Sequence, residues 1–221
     1  MNNNLNEMLS GLTNDYGIEY NIQTSMVIEN NNKCYDVIFK MNGYGIRDRV
    51  YKDETYHSLK NIVDYNYKKL LSAITYKAID IANIIINKQN KNGNNVNNLQ
   101  LNKLLFYCQK HYIKTFNSIM FKDNIELNKY GFTVPEVYHT YKVNSALNIY
   151  DIFIQGKVIK VDKYTESIID SVLSVLGNKT AMELVELNTF EKLYIENKDK
   201  LTNLKSIILS PDDMIKWYKN N

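Results

Sequence analysis

This chain holds little of what usually announces chemistry. Its 221 residues include two cysteines, two prolines, one tryptophan, three histidines and eight glycines, and its only arginines are Arg47 and Arg49. Cys34 and Cys108 fall in different predicted elements and form no metal-spaced pair, so both are read as reduced, buried thiols. Lysine carries nearly all the positive charge, and an ammonium lacks the planar fork that reads bases or clamps phosphates bidentately. The formal net charge is +3, and residues 1–72 hold nine acidic against eight basic side chains. Neither the chain nor its N-terminal part is a basic module, which argues against nucleic-acid binding. No apolar run reaches the roughly 18 residues a membrane-spanning helix needs. The longest candidate, Ile79 to Ile86, is broken by Asp80 and Asn83. The opening MNNNLNEMLSGLTND has neither a positive n-region nor an apolar core, so no signal peptide and a cytoplasmic location are expected.

Asparagine is what abounds, at 32 residues, alongside many Lys and Ile and 18 Tyr. All four have AT-rich codons, so an AT-rich genome explains the bias without appeal to function. The pattern of the chain reads as α+β: a small β-β-β-α module over 1–72, then a mainly α-helical domain over 73–221 with at most a short hairpin. Ile18, Tyr20 and Ile22 alternate with polar neighbours and run on into Met26-Val27-Ile28. Asn30-Asn31-Asn32 reads as a turn and Tyr35 to Phe39 as a second strand. Gly43 and Gly45 mark a bend before a third strand from Ile46 to Tyr51. A helix from about Asp53 presents Leu59, Ile62, Val63, Tyr67, Leu70 and Leu71 at helical spacing.

Beyond residue 72 helices dominate. Tyr76 to Lys88 is apolar on several sides, as a buried helix would be. Gln89 to Asn98 is a loop, with Asn98 as the expected N-cap of the next helix. Thr133-x-x-Glu136, Thr180-x-x-Glu183 and Ser210-x-x-Asp213 each place a hydroxyl three residues before a carboxylate, the pattern of a capping box. Pro135 and Pro211 lie in the first turns of two of these helices, where a missing N–H costs nothing. Gly177 is expected as the C′ stop of the preceding helix. Residues 147–160 read as a short hairpin around Gly156.

Enzyme constellations are thin. His57, His111 and His139 lie far apart in sequence. Cys108 and His111 sit one helical turn apart, but no second pair completes a zinc site. A Cys108 nucleophile with a His139 base conflicts with the place of Cys108 in an apolar stripe. Asp212 and Asp213 are adjacent and diverge on a helix, where they suit the positive end of its dipole. Gly43-x-Gly45 is too short to cradle phosphate. No catalytic residue, metal or cofactor is expected, and the protein is read as a non-enzyme.

The helix over 99–116 has two faces. Leu101, Leu104, Leu105, Cys108 and Tyr112 form one apolar stripe; Lys103, Tyr107, Lys110 and Lys114 form the opposite one. The second stripe is either a solvated face or a contact surface, tyrosine offering wide amphipathic area at low entropic cost.

Ordered motifs then point to a family. Ala82-Asn83-x-Ile85-Ile86, Leu99-x-Leu101-x-Lys103-Leu104-Leu105-Phe106-Tyr107-x-Gln109, Ile125-Glu126 through Tyr130-Gly131, and Val134-Pro135-Glu136-Val137-Tyr138 resemble the Panacea antitoxin domain, also called SocA-type or phage-associated. Thr180 to Leu184 and Ser210 to Ile215 resemble its later motifs, so the resemblance covers roughly 75–218. The family's Y-G-P-V becomes Tyr130-Gly131-Phe132-Thr133, its late T-H becomes Asn188-Thr189, and its following Trp is replaced by Tyr194. The resemblance implies an antitoxin of a type II toxin–antitoxin pair, which binds and neutralises a cognate toxin encoded by an adjacent gene. One branch of the family delivers its toxin to a cellular protease as a proteolytic adaptor. A DNA-binding autoregulator, and a prophage or mobile-element protein with a host-directed binding role, are the alternatives; self-association as a homo-oligomer stays open. The partner-contact set expected from helix and motif together is Lys103, Tyr107, Lys110, Tyr130, Gly131, Phe132, Pro135 and Tyr138.

Overall fold

The structure, a computed structural model, describes residues 20–29, 32–41, 44–51, 56–71, 75–144, 146–150, 159–202 and 205–221. The expected hairpin turn at Gly156, the turn residues Asn30, Asn31 and Gly43, the strand start at Ile18 and the helix start at Asp53 lie outside them. The chain divides into two compact units between Ile74 and Thr75, with Val161–Lys163 grouped with the first.

The first unit carries β1 (Tyr20–Glu29), β2 (Asn32–Met41), β3 (Tyr44–Tyr51) and α1 (Tyr56–Leu71). The strands form one antiparallel sheet in the order β1-β2-β3, with Tyr20 opposite Met41 and Tyr35 opposite Val50. Tyr35, Val37 and Phe39 alternate along β2 and are buried, as a strand with one covered face requires. α1 packs on β2 and β3 through Leu59, Val63, Tyr67 and Leu70, all buried. Asn66 ties helix to sheet, its amide donating to Asp48 Oδ2 at 2.8 Å. Arg49 pairs at 3.1 Å with Asp36, its cross-strand neighbour. One of the two arginines is therefore committed within the sheet.

The second unit is helical around a small sheet. Its helices are α2 (Ala78–Lys91), α3 (Asn98–Phe116), α4 (Pro135–Tyr141), α5 (Lys163–Leu176), α6 (Ala181–Thr189), α7 (Lys192–Ile195) and α8 (Pro211–Asn220). Its strands are β4 (Ile125–Asn128), β5 (Gly131–Thr133) and β6 (Ile207–Leu209), antiparallel in the order β5-β4-β6. The described residues include a hairpin at 125–133 that the sequence does not mark, and β6 adds a third strand to it from the far end of the chain.

Several local expectations are corrected. Tyr76 is not the start of a helix; it bridges in parallel to Phe121, its N–H donating to the Met120 carbonyl at 3.0 Å. α2 begins at Ala78, whose N–H is met by Asp123 Oδ2 at 2.7 Å because Lys77 offers no side-chain cap. The N-cap of α3 is Asn97, which forms a reciprocal box with Gln100; Asn98 is already helical. Thr180–Glu183 and Ser210–Asp213 form the expected capping boxes. Thr133 does not, because it lies in β5, its hydroxyl accepts from Asn128 at 3.2 Å, and α4 starts after an uncapped Val134. α5 does end at Leu176, just before Gly177 as expected, but Gly177 does not adopt a left-handed conformation. It is needed for close approach: an added Cβ would sit 2.5 Å from the Leu173 carbonyl and 2.9 Å from the Gln89 amide.

α3 is the axis of the unit. It touches α2, α4, α6, α8 and β5, and every residue from Leu101 to Gln109 is buried. The two-stripe reading of this helix is therefore corrected: the expected polar stripe is covered as far as Tyr107, and only its C-terminal end reaches solvent.

Candidate partner-binding site

β5 is an edge strand, so Phe132, opposite Leu127 on β4, turns its own N–H and C=O away from the sheet. Buried backbone groups need partners, and side chains from two helices supply them. Lys103 Nζ on α3 donates to the Phe132 carbonyl at 2.9 Å. The Phe132 N–H donates to Asn188 Oδ1 on α6 at 3.2 Å. One residue further on, Val134 N–H donates to Asn102 Oδ1 at 2.8 Å. Asn102 in turn donates to Asn98, whose amide donates to the Tyr138 carbonyl at 2.9 Å. The ring of Phe132 stacks on Phe106, centroids 3.8 Å apart and planes 2° from parallel.

The hairpin turn is fixed at its other end too. Gly131 has φ +91°, a conformation glycine adopts without penalty, and a Cβ there would lie 2.7 Å from Asn188 Cβ. The Tyr194 hydroxyl donates to the Lys129 carbonyl at 3.0 Å. Asn188 and Tyr194 are thus the two α6–α7 residues that anchor the hairpin.

Lys103 is fully buried, and among the described residues no carboxylate pairs with it. Burial pushes its amine down to about 7. Gln109, one turn and a half further along α3, acts like a strand edge. Its oxygen accepts from Met120 N and Phe121 N at 2.8 and 3.2 Å, and its amide donates to the Phe121 carbonyl at 2.9 Å. Cys108 is buried completely, and burial drives its thiol well above the ordinary value. It is not among the residues lining either groove described below. Among the described residues no group of three or more His, Cys, Asp or Glu is placed to hold a metal ion.

Two grooves border the elements so held. The first, about 350 Å³, lies between the hairpin, the start of α3 and α4, and is lined by Leu99, Asn102, Glu126, Asn128, Tyr130, Thr133, Pro135, Tyr138 and His139. Tyr130 and Tyr138 stand at its lip, 56% and 39% exposed. The second, about 610 Å³, lies between α3, α5 and α6. Its apolar walls include Ile168, Val172, Val175, Leu176, Leu187 and Phe190, and Lys110 and Glu191 close one end. Val175 and Phe190 are 71% and 68% exposed although large and apolar. Lys110 binds both Glu191 oxygens, at 2.5 and 2.7 Å, with both side chains mostly covered. Tyr107 lies beside this pair; burial and then the nearby Glu191 raise its hydroxyl pKa. His111 titrates below its ordinary value, first through burial and then through Lys110.

The eight residues expected to contact a partner therefore separate into three sets. Tyr130, Pro135 and Tyr138 meet in the smaller groove, and Tyr107 and Lys110 line the larger one. Lys103, Gly131 and Phe132 are buried and line neither; they hold the hairpin. Asn102, Asn188, Glu126, Val175 and Phe190 were absent from that set. A polar Asn102 beside the apolar stripe of α3 was the one signal for the first of them. Glu126 and Asn188 stand out only within the family motifs, and nothing local marks Val175 or Phe190.

Residues 101–192 match the family described as the antitoxin SocA-like Panacea domain, and that match supports an antitoxin-type role. No curated protein matches the chain, and no solved structure matches it. Among the described residues no helix is long and apolar enough to cross a membrane.

Proposed function

We propose that this protein is the antitoxin of a type II toxin–antitoxin pair, and that it neutralises a cognate protein toxin by direct contact and not by catalysis. One observation carries the reading. Every residue that lines the 610 Å³ groove between α3, α5 and α6 lies inside the segment matching the antitoxin domain. That groove leaves Val175 and Phe190 largely exposed, and large apolar side chains gathered at a groove are what a protein partner covers. The Lys110–Glu191 pair adds a polar rim at one end, giving a bound chain direction as well as area.

The toxin is expected to be the product of a flanking gene. Induced alone in a bacterial host, that product should arrest growth; induced together with this protein, growth should return. Growth arrest that co-expression leaves unchanged, for the products of both flanking genes, would refute the reading.

A further inference from the structure

The smaller groove has a chemistry of its own. Most of its floor is committed to the fold: Asn102 binds Val134 and Asn98, and Asn128 binds Thr133 Oγ1 and the Tyr130 N–H. Glu126 differs. It projects from β4 into the groove lining, and its carboxylate makes no hydrogen bond or ion pair among the described residues. Two tyrosine rings flank the opening, and Pro135 and Leu99 add apolar wall. One of the rings already attracts a cation, for Lys129 Nζ lies 4.6 Å from the Tyr130 centroid. A carboxylate left without a counter-ion, between aromatic faces and apolar walls, matches a long aliphatic stem carrying a positive head.

We infer that this groove receives an arginine or lysine side chain of the bound protein partner, its cationic head between Tyr130 and Tyr138 and paired with Glu126. An arginine fits best, since a guanidinium stacks on a ring and forks onto a carboxylate with the same group. Lys129 is exposed and yields its place on Tyr130 without disturbing the fold. The inference rests on the proposed function only in naming a protein toxin as the source of the side chain. The groove's own preference for a cationic side chain holds whichever protein supplies it.

The test uses the full chain, labelled with ¹⁵N, titrated with N-acetyl-arginine amide, with the lysine and glutamine amides alongside. The arginine amide should shift the amides of Tyr130, Gly131, Thr133 and Tyr138 saturably, with a millimolar dissociation constant, and the neutral glutamine amide should not. Glu126→Gln and Tyr130→Ala, both at positions outside the packed core, should each weaken the arginine amide by about tenfold or more while leaving the thermal unfolding midpoint in place. Equal response to the glutamine amide, shifts centred elsewhere, or an unchanged affinity in Glu126→Gln would each overturn the inference. A tighter response to spermidine than to the arginine amide would overturn it too, by reassigning the groove to a free polyamine. Arginine-amide binding without growth rescue by co-expression would sink the antitoxin reading and leave this site standing. Rescue without arginine-amide binding would do the reverse.

Discussion

Lys103 spends its amine on a single backbone oxygen. From the middle of α3 its Nζ reaches the Phe132 carbonyl on β5 at 2.9 Å, in full burial, while Phe132 stacks on Phe106 three residues along the same helix. The bond closes the open edge of the sheet and fixes where Tyr130, Pro135 and Tyr138 stand.

That bond carries a pH signature. The folded amine titrates at about 7, against about 10.4 for a lysine in an unfolded chain. Between those values the unfolded state holds a proton the folded state lacks, so this group adds stability as pH rises, by up to about 1.4 kcal/mol per pH unit. Below about pH 7 both states are protonated and the contribution is flat. Other buried groups, Tyr107 and Cys108 among them, pull the opposite way at high pH because burial raises their pKa. Lys103→Met isolates the lysine: in urea unfolding the wild type should gain on the variant as pH rises from about 7 to 10. A difference independent of pH would show that the amine titrates normally.

Gly131 should tolerate no side chain. Alanine there meets both a positive φ and Asn188 Cβ at 2.7 Å. Gly131→Ala should cost roughly 2–4 kcal/mol of stability, combining backbone strain with the displacement of α6. Gly93→Ala shares the positive φ but meets nothing within 4 Å, so it should cost less. Equal losses in the two variants would remove the close approach as a cause.

Gln109 should control the order of the segment after α3. Gln109→Leu keeps the volume but strands the Met120 and Phe121 N–H groups and the Phe121 carbonyl, an expected loss on the order of 3 kcal/mol. Amide hydrogen exchange at Met120 and Phe121 should speed up beyond the global change. Exchange that tracks global stability alone would place the effect elsewhere.

The larger groove gives the mutational test of partner contact. Val175→Asp and Phe190→Asp alter side chains that are mostly exposed, so unfolding midpoints should shift little. Binding of the toxin should fall by about 2 kcal/mol or more for each, as for a buried anchor at an interface centre.

Much of this fold is readable in local sequence, and the misses share one cause. The Thr180 and Ser210 boxes follow from residues three apart, and the three N-terminal strands from alternation and turn residues, so each is decided by its own neighbourhood. Spacing along α3 correctly groups Leu101, Leu104, Leu105, Cys108 and Tyr112. It does not reveal that β5, α4 and α6, distant in sequence, cover the other face, and so Lys103 and Tyr107 read as surface. β6 is three residues whose partner strand lies far upstream, and Thr133 resembles a cap only until Asn128 claims its hydroxyl. The site depends on the same long-range placement: Glu126, Tyr130 and Tyr138 become one groove only when the hairpin folds against the start of α3. The motif residues 125–138 are legible as a unit, but their hairpin is not, because Lys103, Asn188 and Tyr194, which hold it, come from helices distant in sequence.

The most direct test of the central claim is calorimetric titration of the purified full chain with the purified product of the flanking gene, whose toxic activity is assayed in parallel. A saturable complex of fixed stoichiometry is predicted, with toxicity lost in proportion to complex formed and affinity reduced in Phe190→Asp. Absence of binding heat together with undiminished toxicity at excess of this protein would contradict the account.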